Sequence, residues 1–144
     1  MSIINYSAPK RLLAVARGHP YERDAFASLM QELDEFDVCH VEQPAAQRLL
    51  GPQAAADYDA IVCYDMPGIY FTAAASPRLI TPDPDFVRDY LAMLKTGVGM
   101  VFMHHAIAAW PAWPDYAEIV GGRFHYRPAA LHGAQWPDSG YRHQ

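Results

Sequence analysis

Four short apolar runs, separated by segments with helical spacing, constrain this chain more than any other feature. Leu12-Leu13-Ala14-Val15-Ala16 is continuous, as are Ala60-Ile61-Val62-Cys63-Tyr64 and the stretch from Val98 to Met103, with Val38 to Val41 a shorter fourth run. A run of this length with no polar alternation reads as a strand covered on both faces, the pattern of a parallel sheet. Between the runs, Phe26, Leu29, Met30, Leu33 and Phe36 recur at three- and four-residue spacing, and Phe86, Val87, Tyr90, Leu91 and Leu94 do so behind the Asp83-Pro84 start signal. Such spacing lines one face of a helix, and Asp before Pro supplies an N-cap and a favoured first position. Alternating strands and helices imply right-handed crossovers. The expectation is an α/β, flavodoxin-like parallel sheet of order 2-1-3-4 with helices on both faces.

Some segments carry weaker signals. Pro44 to Tyr58 is rich in alanine and glutamine and reads as a short helix and a turn. Ile69 to Thr81 has no period and is expected to be a mobile loop over the site. Ala106 to Trp110 and Asp115 to Val120 read as a broken helix closed by Gly121-Gly122, and the tail from Arg127 to Gln144 has no strong period.

Composition excludes several functions. The chain has 144 residues, enough for one domain spanning 1–144, with 51% apolar and 19% charged residues. A net charge of -5 without a basic cluster argues against nucleic acid and anionic membranes as partners. No apolar run approaches the ~20 residues that span a bilayer, and Met1 to Lys10 lacks the pattern of a secretory signal. Cys39 and Cys63, the only cysteines, fall inside strands and read as buried free thiols, so a soluble cytoplasmic protein is expected.

The polar residues at the ends of these strands carry the chemistry. Gly97 to Met103 runs into His104-His105, and α/β sheets place their sites at carboxyl ends of strands. With the first, third and fourth strands side by side, His19, Asp65 and His104 share one sheet edge and form the candidate catalytic set. The same three are the candidate ligands for a divalent metal such as zinc, although no H-E-x-x-H or paired-cysteine spacing occurs. Imidazole suits acid-base work near neutral pH or metal ligation. His105 points to the opposite face from His104 unless the chain turns sharply there. Tyr64, His105, Trp110, Trp113 and His125 are the candidate substrate contacts, with Trp110 and Trp113 as an aromatic wall for a sugar ring. The strand-to-helix turn at Met103-His104-His105 stands where related folds hold a nucleophile, yet neither G-x-C-x-G nor G-x-S-x-G is present. Glutamine hydrolysis through a thioester is therefore not expected. No G-x-G-x-x-G follows the first strand, which disfavours a nicotinamide or nucleotide cofactor.

Gly97, Gly99, Val101 and His104, then Tyr116, Gly121, Gly122 and Phe124, together with Gly18-His19-Pro20 and Tyr64-Asp65-Met66-Pro67-Gly68, resemble the ThuA-like (trehalose utilisation) family of the class I glutamine-amidotransferase-like fold. The resemblance runs from about Leu12 to His143. One departure stands at Arg127, where the family often carries a histidine, and His125 is the neighbouring candidate for that role. The resemblance implies carbohydrate metabolism, with a small sugar as substrate and the reaction open. A non-catalytic sugar- or partner-binding module on the same fold is the competing expectation. Family members continue with further strands, so the chain is expected to behave as a C-terminally incomplete domain that self-associates or is only marginally stable.

Overall fold

A computed structural model describes residues 10–72 and 77–140. The elements in order are β1 (Lys10–Arg17), α1 (Arg23–Gln31), β2 (Phe36–Glu42), a 3-10 turn (Ala45–Arg48), α2 (Ala54–Asp57), β3 (Ala60–Asp65), β4 (Ile69–Tyr70), β5 (Arg78–Leu79) and α3 (Pro84–Lys95). After these come β6 (Gly99–Phe102), a second 3-10 turn (His104–Ala108), α4 (Pro114–Val120), β7 (Ala129–Leu131) and β8 (Ala134–Trp136).

The four strands expected from the apolar runs form one parallel sheet of order β2-β1-β3-β6, the flavodoxin-like 2-1-3-4 arrangement. β1 lies at the centre because Leu12 to Ala16 are all at most 3% exposed, which only a strand paired and covered on every side achieves. Alternation splits its residues between two cores. Leu13 and Val15 join Ile61, Cys63, Phe86, Tyr90 and Met93 under α3, whereas Leu12, Ala14, Ala16 and Val62 pack with Phe26 and Met30 of α1.

Helix α3 follows its start signal. The Asp83 side chain accepts the Asp85 N–H at 2.8 Å, Pro84 occupies the first turn, and Phe86, Tyr90 and Met93 form the buried stripe. Such a cap contributes about 1 kcal/mol.

Four expectations need correction. In the stretch from Ile69 to Thr81, of which 73–76 lie outside the described residues, β4 and β5 pair antiparallel as a small ribbon. β7 and β8 make a hairpin in the tail, turning at His132-Gly133 with both residues at positive φ, as a two-residue hairpin loop requires. Leu29 is 49% exposed and Phe36 begins β2, so the buried stripe of α1 narrows to Phe26 and Met30. Finally, Val101 in β6 is 53% exposed, because α1 covers β1 and β3 but not the outer strand. Among the described residues no helix is long and apolar enough to cross a membrane, and Cys39 and Cys63 are both free thiols.

Candidate functional site

The carboxyl edge of the sheet is built around a close approach of two loops. After β1 the chain turns through Arg17 and Gly18, with φ of 83° and 96°. A Cβ on Gly18 would lie 2.4 Å from the Met66 carbonyl oxygen, so only glycine fits. The Met66 N–H donates to the Arg17 carbonyl at 2.9 Å and fixes the β1 and β3 loops together. Polar groups gather on both sides of this junction.

On the α1 side stands a histidine cluster. His104 adopts φ 37° at the end of β6, a left-handed conformation that costs a side-chain-bearing residue about 1–2 kcal/mol. This is the sharp turn that brings neighbouring imidazoles together, and the Nδ1 atoms of His104 and His105 lie 2.9 Å apart. His105 stacks on His19 with ring centroids 3.8 Å apart, and Tyr64 sits edge-on to His19 at 4.7 Å. Burial, and then the neighbouring His19 and His104, lower the His105 pKa to about 4. His105 is thus neutral near pH 7, and in the His104–His105 contact one Nδ1–H donates while the other nitrogen accepts. His104 is exposed, and its Nε2 makes no further polar contact among the described residues.

His19 serves the cluster differently from expectation. Its Nδ1 lies 2.9 Å from the Pro20 carbonyl oxygen and its Nε2 lies 2.8 Å from that of Tyr64. Both ring nitrogens face backbone carbonyl oxygens, of which a neutral imidazole donates to one at a time, so His19 ties the β1 loop to β3 and supports His105.

Asp65 lies on the other side. Alternation along β3 sends Ile61, Cys63 and Asp65 toward α3, while Val62 and Tyr64 face α1. Asp65 is 4% exposed, and its Oδ2 accepts from Gln43 Nε2 at 2.6 Å. Burial raises its carboxyl to about 6, against the opposing influence of the Gln43 hydrogen bond and nearby His19. Gln47 Nε2 donates in turn to Gln43 Oε1 at 3.2 Å. This row of amides ends at a cleft of about 460 Å³ whose walls include Arg17, Gln43, Gln47, Met66, Ile80 and Trp110.

The expected triad is therefore divided between the two faces of the sheet. Among the described residues no group of three or more His, Cys, Asp or Glu side chains is arranged to hold a metal ion, so His19, Asp65 and His104 are not gathered as ligands. Trp110, at φ 46°, lines the cleft. Both tryptophans are buried and contact Phe86, but Trp113 packs further against Tyr90 and Tyr116 and is not among the residues of the cleft wall, so the two form no common wall. His125 is 9% exposed and exchanges backbone hydrogen bonds with Ser139, at 3.0 Å to Oγ and 2.8 Å from N–H. These bonds fix its backbone against Ser139, and the neighbouring Phe124 N–H donates to the Ile107 carbonyl oxygen at 3.1 Å. Tyr64 stacks on Phe26 at 5.2 Å and belongs to the histidine side.

Arg17, Gln43 and Gln47 join the site without a motif to mark them. A signal existed for Gln43, which directly follows β2 and so shares the sheet edge with the other candidates. Comparison with family models, curated proteins and solved structures finds no match to this chain, and the site is read from its own geometry.

Proposed function

We propose that this is a ThuA-like cytoplasmic protein that acts on a small sugar or sugar derivative through histidine acid-base chemistry, with His104 as the group that takes or delivers the proton. The observation that carries this reading is the left-handed φ of 37° at His104 on the strand-to-turn elbow, which holds its open Nε2 outward while Nδ1 is engaged by His105. Strained residues at such positions cluster in functional sites. The imidazole pair offers a group able to take or deliver a proton, as general acid-base catalysis requires. His19 and Tyr64 support His105 by packing. The sugar comes from the family resemblance alone, and the two free thiols support the cytoplasmic location.

The competing reading, a binding module, is favoured by Asp65 lying on the face away from the histidines, which leaves His104 without that carboxylate as a partner. Incubating the protein with mono- and disaccharides, including keto-sugars, in D2O and following sugar C–H exchange and product formation by NMR tests the two. Exchange or turnover that His104→Gln and His104→Ala abolish is expected. Turnover that survives both substitutions would remove His104 from the chemistry, and saturable binding without any exchange or turnover would establish the binding module.

A further inference from the structure

We propose that the cleft on the α3 side binds a small organic acid by its carboxylate, with the Arg17 guanidinium as the anchor. This site is independent of the histidine cluster and does not rest on the sugar reading.

Arg17 is the cation of the cleft wall, and its charge is only partly neutralised. The acidic side chain beside it is Glu42, whose Oε2 lies 3.6 Å from Arg17 Nη1. That carboxylate is engaged more closely elsewhere, because Tyr21 Oη donates to Oε1 at 2.7 Å and Arg23 Nη2 lies 3.0 Å from both oxygens. Two guanidiniums thus share one carboxylate, and Arg17 is the distant partner. Strand alternation accounts for the unequal sharing. Cys39 and Val41 of β2 pack under α3, so Glu42 leaves on the α1 face, where Tyr21 stands, and Glu42 is not part of the cleft wall.

The Arg17 guanidinium has donors to spare. Among the described residues only its Nη1 meets protein acceptors, Glu42 at 3.6 Å and the Gln43 carbonyl oxygen at 3.5 Å. Nε and Nη2 remain, the parallel pair of N–H groups that grips both oxygens of a carboxylate. The side chain is 56% exposed, so a ligand can reach it.

The backbone fixes where this group stands. Arg17 has φ 83° and Gly18 has φ 96°, a conformation that glycine adopts freely and that a residue with a side chain holds only under constraint. Here the constraint is the β3 loop, through the Met66 N–H bonded to the Arg17 carbonyl at 2.9 Å and the Met66 backbone packed against Gly18. Strain of this kind concentrates where ligands are held.

Charge and size select the class of anion. A cleft of about 460 Å³ suits a small metabolite. The other formal charge on its wall is Asp83, which accepts the Asp85 N–H at 2.8 Å and is partly offset by the N-terminus of α3. Asp65 stands behind Gln43, bonded to its Nε2 at 2.6 Å. A single carboxylate balances Arg17, whereas a phosphate dianion would face these two acids without a second cation.

Proton–nitrogen correlation spectra of the arginine Nε–H groups test the proposal as the intact chain is titrated, at fixed ionic strength, with acetate, L-lactate and D-gluconate. Chloride, inorganic phosphate and methyl α-D-glucopyranoside serve as comparisons. A saturable shift of the Arg17 Nε–H signal by at least one of the carboxylates is expected. Affinity for that acid should fall about tenfold or more in Arg17→Gln, and Arg17→Lys, which keeps the charge without the fork, should not restore it. Glu42→Gln should tighten binding, because the carboxylate that draws on Arg17 becomes neutral; this variant preserves the test if the Arg17 variants fail to fold. The proposal is overturned if no carboxylate moves the Arg17 signal saturably, if phosphate or the glucoside binds more tightly than every carboxylate, if affinity is undiminished in Arg17→Gln, or if Glu42→Gln weakens binding. Chloride competing as well as the carboxylates would show an adventitious ion only and would overturn it too.

Discussion

Replacing Asp65 by asparagine should leave stability in acid nearly unchanged and raise it, relative to wild type, as the pH climbs toward 8. Folding moves the carboxyl from its ordinary 3.8 to about 6, and burial is the main cause. The folded chain therefore holds this proton more tightly than the unfolded chain. The stabilisation from the protonated group is complete below pH 3.8, declines as the pH rises toward 6, and is gone above that. The rise corresponds to about 3 kcal/mol, because each tenfold change in proton affinity is worth about 1.4 kcal/mol. The carboxamide of the variant cannot ionise, yet its oxygen can still accept from Gln43 Nε2. Urea denaturation of both proteins from pH 4 to pH 8 measures the effect, since titrating groups that do not interact with the carboxyl are common to both. The stability difference should grow in favour of the variant by about 2.5 kcal/mol across that window. A difference that stays flat, or that moves the other way, would refute the assignment of Asp65 as a carboxylate held at a cost.

Other outcomes follow from single features. His104→Gly should be more stable than His104→Ala by about 1 kcal/mol, measured by thermal unfolding, because glycine adopts the left-handed conformation without strain. Equal stability would mean that the elbow relaxes. Gly18→Ala should cost about 2 kcal/mol or more, given the Met66 carbonyl oxygen at 2.4 Å, whereas Gly97→Ala, with no atom within 4 Å, should cost only the about 1 kcal/mol of its φ. Denaturation midpoints in the reverse order would contradict the close approach. Cys63 is 2% exposed and burial pushes its thiol well up, so a thiol reagent should modify it only after denaturation; rapid labelling in the native protein would exclude the buried assignment.

Much of the fold was legible because apolar runs report directly on burial. β1, β2, β3 and β6 lie where the runs are, and the Asp83-Pro84 signal places α3 to the residue. The hairpin at β7 and β8 was not legible, since its strands have three residues each and no alternation to announce them. Site residues were legible as an edge but not as an arrangement. Asp65 and Tyr64 are adjacent on one strand, so the two-residue repeat that predicts a strand also sends them to opposite faces, and Asp65 leaves with it. His105 was expected to point away from His104, and the single positive φ at His104 reverses that, a conformation that histidine does not advertise in a sequence. Trp113 was indistinguishable from Trp110 until its packing against Tyr90 and Tyr116 set it apart.

The central position of β1 has a kinetic consequence. Leu12 pairs with Val38 on one side and with Ala60 on the other, 26 and 48 positions further along the chain, and Ala60 pairs with Gly99, 39 positions on. No ladder in the main sheet can form without first closing a long loop, whose entropy is lost before any strand bond repays it. α1 and α3, by contrast, make their bonds locally. Once β1 has paired with one neighbour, the remaining strands add at the flanks of an existing template. Truncating a β1 side chain such as Leu13 should therefore slow folding, while truncating Phe102 on the outer strand should chiefly hasten unfolding.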